Sequence, residues 1–310
     1  MKKTLFAALG TAIAIALVGL ALAQSKGTIT VGSKLDAEGR LLGSMIRLSL
    51  EQAGFTVNDK TATGTTLITR KALTEGQIDI YPEYTGTAIN NFFKGEKIAP
   101  ETSKNAEKSY RTVKRLDKKL NNIEWLSRAP ANNTWAIATT KTLAQKEGIK
   151  SLEDFAKYVQ KGGVVKIVGS QEFVERDDAL KSFQKVYGFT LKAEQLIVLA
   201  GATTAQTEGA IAQGTDGANF AMAYGTDGSI SALGLVVLTD PKGAQPIYQP
   251  APTVRGEVFK KFPEMAKLIN PIFATLDEET LQSLNVQIDL NGKNPLEVAR
   301  GYLKSKGFLK

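Results

Sequence analysis

An uncharged, mostly apolar stretch over residues 5–22 opens the chain, and short β-rich runs alternating with helical patterns follow it. Thr28-Ile29-Thr30-Val31-Gly32 predicts a strand. Residues 41–53 predict an amphipathic helix with Leu42, Met45, Ile46 and Leu50 on one side. Residues 65–73 read as helix, 78–81 as a short strand, 86–93 as helix, and 105–120 as a longer, highly charged helix. Strands over 137–139 and 164–168 flank a helix whose opening, Ser151-Leu152-Glu153-Asp154, is a capping box. Further helices are predicted over 177–186, 204–213 and 229–233, and strands over 196–199, 220–224 and 235–238. This alternation argues for α/β layers, with helices covering a mainly parallel sheet. From about Glu257 the pattern turns helix-rich, with Pro263, Pro271 and Pro295 placed as boundaries or first-turn residues. No internal repeat or Gly/Ser linker interrupts the chain, so two lobes joined by short crossings fit better than separate beads.

The opening stretch changes the picture of where the protein works. Lys2 and Lys3 precede it, and Ala21-Leu22-Ala23 closes it with the small residues that signal peptidase reads, so cleavage is expected before Gln24. A rival reading is an uncleaved anchor, because the run approaches the ~20 residues needed to span a bilayer. The small-residue site favours cleavage. No cysteine follows the apolar run, which excludes the acylated thiol of a lipoprotein. A free, soluble mature protein suits a periplasm.

Removing residues 1–23 leaves 287 of the 310 residues, enough for two domains, and lowers the net charge from +8 to +6. The charges are dispersed. The densest run, from Lys104 to Lys119, mixes Glu107 and Asp117 with its bases and predicts a solvated helix face. No arginine-rich tract or nucleic-acid motif is present. With no cysteine there is no disulfide or thiolate chemistry, and with no histidine no Ser-His-Asp triad or zincin motif. Carboxylate, lysine or tyrosine chemistry stays open, but no acid pair with nameable roles stands out. No cofactor or metal is expected.

Three stretches carry candidate chemistry. In Asp79-Ile80-Tyr81-Pro82-Glu83-Tyr84-Thr85-Gly86-Thr87-Ala88 a strand ends where a helix begins, and helix N-termini suit an anionic group. In Ala129-Pro130-Ala131-Asn132-Asn133-Thr134-Trp135 a polar turn runs into a strand beside one of two tryptophans. In Phe220-Ala221-Met222-Ala223-Tyr224-Gly225-Thr226-Asp227-Gly228 a strand delivers Tyr224 to a glycine-flanked bend, with Asp227 expected to cap the next helix. Read alone, each is also an ordinary structural turn with a packed aromatic.

Together these stretches resemble the glycine betaine/choline substrate-binding proteins of ABC importers. The resemblance covers nearly all of residues 27–310. It rests on Val31-Gly32-Ser33-Lys34, Gly64-Thr65-Thr66, Tyr81-Pro82-Glu83-Tyr84-Thr85-Gly86, Asn132-Asn133-Thr134-Trp135, Gln171-Glu172-Phe173-Val174-Glu175-Arg176 and Tyr224-Gly225-Thr226-Asp227-Gly228, in this order. It implies a two-lobed periplasmic binding protein (type II) whose ligand cleft lies between the lobes. Lobe 1 would combine residues 24–130 and 241–310, and lobe 2 would span 131–240. It further implies an aromatic box for a trimethylammonium group, with walls from Tyr84, Tyr224, Tyr248 and Trp135, the last standing where the family usually has tyrosine. Lys34, Thr87 and Arg176 match positions that hold a betaine carboxylate, and Asn133 one that contributes mainly through backbone. The partners implied are a small quaternary-ammonium ligand and the permease subunits of an importer, the protein itself acting as a monomer.

Each assignment has a bland counterpart. Lys34 at a βα turn is ordinarily solvated, Arg176 in Glu175-Arg176-Asp177-Asp178 reads as a surface ion-pair cluster, and Tyr248 among prolines packs a connecting segment. Phe173 fits a core better than a cleft floor, and Thr65 and Thr66 read as a helix cap. A quaternary ammonium has no N–H to donate, so ring faces must recognise it, each worth roughly 0.5–2 kcal/mol. Four faces then supply on the order of 2–8 kcal/mol, against about 8 kcal/mol for micromolar binding. Charged anchors for a carboxylate add the rest, which favours a zwitterion over choline. Choline, carnitine, proline betaine and an amino acid remain rival ligands, and a secreted carboxylate-dependent enzyme on the same scaffold is the rival of another class.

Overall fold

The computed structural model describes residues 25–310, so the leader expected over residues 1–23 lies outside the described residues. Ten strands run in chain order: β1 Thr28–Lys34, β2 Thr56–Gly64, β3 Ile80–Tyr84, β4 Ile123–Trp125, β5 Trp135–Thr140, β6 Ile167–Ser170, β7 Leu196–Leu199, β8 Phe220–Tyr224, β9 Leu235–Val237 and β10 Pro250–Arg255. They form two five-stranded sheets, in the orders β2-β1-β3-β10-β4 and β7-β6-β8-β5-β9. The chain leaves the first sheet after β4, builds all of the second, and returns as β10.

In each sheet four of the five strands run in one direction, as expected, and one opposes them. β1 pairs parallel with β2 and β3, and β6 with β7 and β8. β5 and β10, the strands that follow a crossing, are antiparallel to both neighbours. A strand arriving from the other sheet enters from the opposite end, which a sequence pattern does not record.

Four buried apolar clusters, two against each sheet, fit the two-lobed α/β expectation. Helix Ala37–Gln52 lies on the first sheet and buries Leu41, Leu42, Met45, Ile46, Leu48 and Leu50. Each such side chain contributes roughly 1.5–3 kcal/mol of burial. The C-terminal helices Met265–Phe273, Glu278–Asp289 and Pro295–Ser305 return to pack on it. On the second sheet, Ile137, Leu152, Phe155, Ile167, Phe173, Phe183, Phe220 and Met222 cluster on one face, and Ala136, Ala138, Val168, Ala221 and Ala223 on the other. The predicted capping box forms: Ser151 Oγ accepts from Asp154 N, and Asp154 accepts from Ser151 N. No helix of the described residues is long and apolar enough to cross a membrane.

Two expectations need correction. Pro295 opens its helix, but Pro271 sits inside Met265–Phe273, near enough to its end that the helix finishes two residues later. The charged helix Ala106–Asn121 has an exposed basic face, yet Asp117 is fully buried. It forks onto the Arg70 guanidinium and accepts from Trp125 Nε1 at 2.8 Å, so a residue read as solvated ties this helix to the sheet.

Candidate functional site

A cavity of about 530 Å³ opens between the two sheets, and Lys34, Tyr84, Thr87, Asn133, Trp135, Arg176, Tyr224 and Tyr248 all line it. β1 and β3 end beside it on the first sheet. β1 delivers Lys34, and the chain turns at Asp36, whose Oδ1 accepts from Gly39 N at 2.7 Å and caps helix Ala37–Gln52. β3 ends on Tyr84, and helix Thr85–Asn91 starts at once, placing Thr87 in its first turn. Gly86 is required here: a Cβ would stand 2.7 Å from the Tyr248 ring and 2.8 Å from the Ile247 carbonyl.

The second sheet supplies the opposite wall. Trp135 starts β5 and Tyr224 ends β8, directly paired in the antiparallel register, with ring centroids 4.5 Å apart at 37°. Phe173 is fully buried behind Trp135, 5.6 Å between centroids, and is a core residue as expected. Tyr248 and Asn133 arrive on the two crossings, which are bonded to each other. Tyr248 N donates to Asn132 Oδ1 at 2.8 Å, and Asn133 N donates to the Tyr248 carbonyl at 3.0 Å. Tyr84, Trp135 and Tyr248 are almost fully buried, while Tyr224 is half-buried.

The charged residues are neither solvated nor free. Lys34 Nζ lies 2.6 Å from Glu83 Oε1 with both side chains buried, and sits 4.8 Å from the Tyr84 ring centroid. Arg176 donates from Nε and Nη2 to the two Asp178 oxygens at 2.9 and 2.6 Å, and its guanidinium lies 5.5 Å from the Trp135 ring. Burial works against both charges of this pair, but their hydrogen bonds outweigh it: the guanidinium is held more firmly protonated and the Asp178 carboxyl below its usual range. The cluster read as a surface one is therefore a buried pair in the cavity wall. The helix expected from Asp177 begins only at Leu180, leaving Asp178 free to turn inward. Burial raises the phenols of Tyr84, Tyr224 and Tyr248 well above their ordinary value, so all three stay neutral.

Two capping expectations fail. Thr65 precedes helix Thr66–Thr74 but makes no side-chain cap. The helix is capped from across the cavity: Glu172, in helix Gln171–Glu175, accepts from Thr66 N and Thr66 Oγ1, both at 2.9 Å, and lies 3.5 Å from Arg176 Nη1. Asp227 caps no helix either. Its carboxylate accepts from Tyr224 N at 2.5 Å and Thr204 Oγ1 at 2.9 Å, closing the bend that holds Tyr224.

Sequence reasoning gave no role to Glu38, Glu83 and Glu172 at the cavity walls, and placed Asp178 with Arg176 on the surface rather than buried. Glu83 and Glu172 lie inside the quoted motifs, and Asp178 in the acidic run after Arg176. Glu38 falls before the predicted helix start at Leu41, although Asp36-Ala37-Glu38 is an N-cap followed by an acidic first turn, a readable start signal.

With this geometry established, comparison with known proteins is decisive. The family model "Substrate binding domain of ABC-type glycine betaine transport system" matches residues 27–305. The chain belongs to this family. Among curated members, it is 49% identical over 301 residues to the glycine betaine-binding protein YehZ of Escherichia coli, covering 97% of each chain. It is 32% identical over 296 residues to a glycine-betaine-binding protein of Pseudomonas aeruginosa, covering 93% of this chain and 90% of that one. The solved apo structure of YehZ superposes with a TM-score of 0.66 at 50% identity, covering 91% of this chain and 99% of that one. The protein is thus a substrate-binding protein of the glycine betaine ABC-transporter family.

Proposed function

We propose that the protein captures a quaternary-ammonium osmoprotectant, glycine betaine foremost, between its lobes and hands it unchanged to the permease subunits of an importer. The observation that carries this reading is the convergence of four aromatic side chains on one cavity. Tyr84 comes from the first sheet, Trp135 and Tyr224 from the second, and Tyr248 from a crossing. Ring faces are what a cation without N–H donors needs. The lobes divide at residues 130/131 and 240/241, the ligand bridges them, and their closure reports occupancy to the permease. The relatives' names, glycine betaine-binding in both curated proteins, support the choice of ligand. Export through a cleaved leader to the periplasm, and action as a monomer, complete the proposal.

Lys34, Thr87 and Arg176 face the ligand carboxylate in this reading. Since Glu83 and Asp178 already neutralise the two cations, the carboxylate shares them rather than meeting a bare charge. That pairing favours choline as a second reading, because a ligand without a carboxylate leaves no cation uncompensated. Calorimetry of the mature protein with glycine betaine, choline, carnitine and proline tests both. Betaine should bind tightest, and no heat with any quaternary amine would overturn the proposal. Mass spectrometry of the recovered ligand should find it unaltered, which an enzyme would not permit.

A further inference from the structure

Glu38 does not line the cavity but stands directly behind its Tyr84 wall, and the binding reading leaves it unused. It lies on the first turn of helix Ala37–Gln52 and is 4% exposed. Three neutral donors reach it: Tyr84 Oη at 2.8 Å and Asn133 Nδ2 at 2.9 Å on Oε1, and Asn285 Nδ2 at 2.9 Å on Oε2. The neighbouring acids have cations of their own, Lys34 for Glu83 and Arg176 for Asp178. Among the described residues no lysine or arginine ion-pairs with Glu38. Burial leaves the Glu38 carboxyl above its usual range even though its hydrogen-bond donors pull it back, and neighbouring Asp36 adds to the rise.

A buried carboxylate without a counter-charge is costly, and such sites ordinarily acquire one. Tyr84 points to where it comes from. The phenol that donates to Glu38 belongs to a ring that forms a cavity wall. A phenol bonded to a carboxylate is polarised, which makes its ring face richer in electrons and more attractive to a cation. The same carboxylate holds Asn133 on one crossing and Asn285 on helix Glu278–Asp289, so its position is locked from three elements.

We propose that Glu38 is the counter-charge of the bound quaternary ammonium, acting through the Tyr84 ring as a positioning and charge-selecting residue. This rests on reading the cavity as a quaternary-ammonium site. It assigns part of the charge discrimination to a residue that does not touch the ligand. The aromatic walls already favour a cation, and Glu38 widens that preference for the charged nitrogen over an uncharged carbon.

The test compares glycine betaine with 3,3-dimethylbutanoate, in which carbon replaces the quaternary nitrogen and nothing else in the outline changes. Dissociation constants are measured by ligand-observed NMR competition on wild type and on Glu38→Gln, which keeps an acceptor for Tyr84 but removes the charge. Betaine binding should weaken about tenfold, the size of one charge interaction at the effective dielectric of a protein site. The carbon isostere should be unaffected or bind better, so that the preference for nitrogen narrows about tenfold. Equal weakening of both ligands would make Glu38 merely structural and overturn the proposal, and so would an unchanged preference. Tyr84→Phe supplies a second variant should Glu38→Gln fold poorly. It keeps the ring but cuts the phenol–carboxylate bond, and should narrow the preference in the same direction. Failure of wild type to bind betaine would instead strike the ligand assignment itself.

Discussion

Replacing Arg176 by Met removes one partner of the Arg176–Asp178 pair, whose side chains are only 11% and 4% exposed. Asp178 would keep its bond from Tyr248 Oη at 2.7 Å but lose both bonds from the guanidinium. Breaking a buried pair from one side costs about 3–5 kcal/mol, because the remaining charge is stranded. For a protein of this size that lowers the melting temperature by on the order of 10 °C. The pH dependence gives the sign. In the wild type burial pushes Asp178 up, but the guanidinium holds it below its usual range. Its stabilisation is therefore present above the unfolded value of about 3.9 and is lost as pH falls through the lower folded value. In Arg176→Met the stranded carboxyl is raised, so its penalty is largest at neutral pH and fades toward about pH 4. Thermal melts from pH 7 to pH 4 should show the gap between variant and wild type closing as the pH drops, and Asp178→Asn added to Arg176→Met should recover most of the loss. A gap that stays constant across this range, together with no recovery in the double variant, would refute the account of the pair. In the stable double variant, betaine should also lose about 1.5–3 kcal/mol relative to choline if Arg176 holds the ligand carboxylate.

The cage makes its own predictions. Tyr84→Ala or Tyr224→Ala should weaken betaine binding by roughly 1–2 kcal/mol, while Tyr224→Phe should stay near wild type by calorimetry because the ring face survives. Gly86→Ala pushes a methyl group into the Tyr248 ring and should cost about 1–3 kcal/mol of stability by denaturant unfolding, with weakened binding alongside. N-terminal sequencing of protein released by osmotic shock should begin near Gln24, and a membrane-bound chain retaining Met1 would contradict the export reading.

The elements most legible in sequence were those whose local chemistry agrees with their place. β7, β8 and helix Thr204–Gln213 were predicted with the bounds they have. β2 escaped because it is an edge strand, Thr-Val-Asn-Asp-Lys-Thr-Ala-Thr-Gly, that buries little except at its end and is irregular near Ala62. β10 escaped because Pro250 and Pro252 read as strand breakers. Their carbonyls still accept, from Ala129 N and Leu126 N, and the Leu126 carbonyl that Pro252 leaves without a donor receives Tyr110 Oη at 2.7 Å. The eight site residues came from resemblance, and all of them border one cavity. Glu38 and Glu83 did not come with them, because they meet their partners through the fold; Asp178, two residues from Arg176, was legible as its ion-pair partner but not as a buried one.

The bonded pair of crossings has a practical consequence for anyone wishing to turn this protein into a reporter. If the lobes rotate as proposed, Tyr248 and Asn133, on the bonded crossings, would lie near the pivot and move little. The displacement would grow with distance from that axis, along the cavity rim near the exposed Leu67 on one lobe and Leu199 on the other. A donor–acceptor dye pair placed at those two positions would convert occupancy into a change in energy transfer without intruding on the aromatic walls. Dyes near residues 132 or 248 would sit at the still centre and register almost nothing.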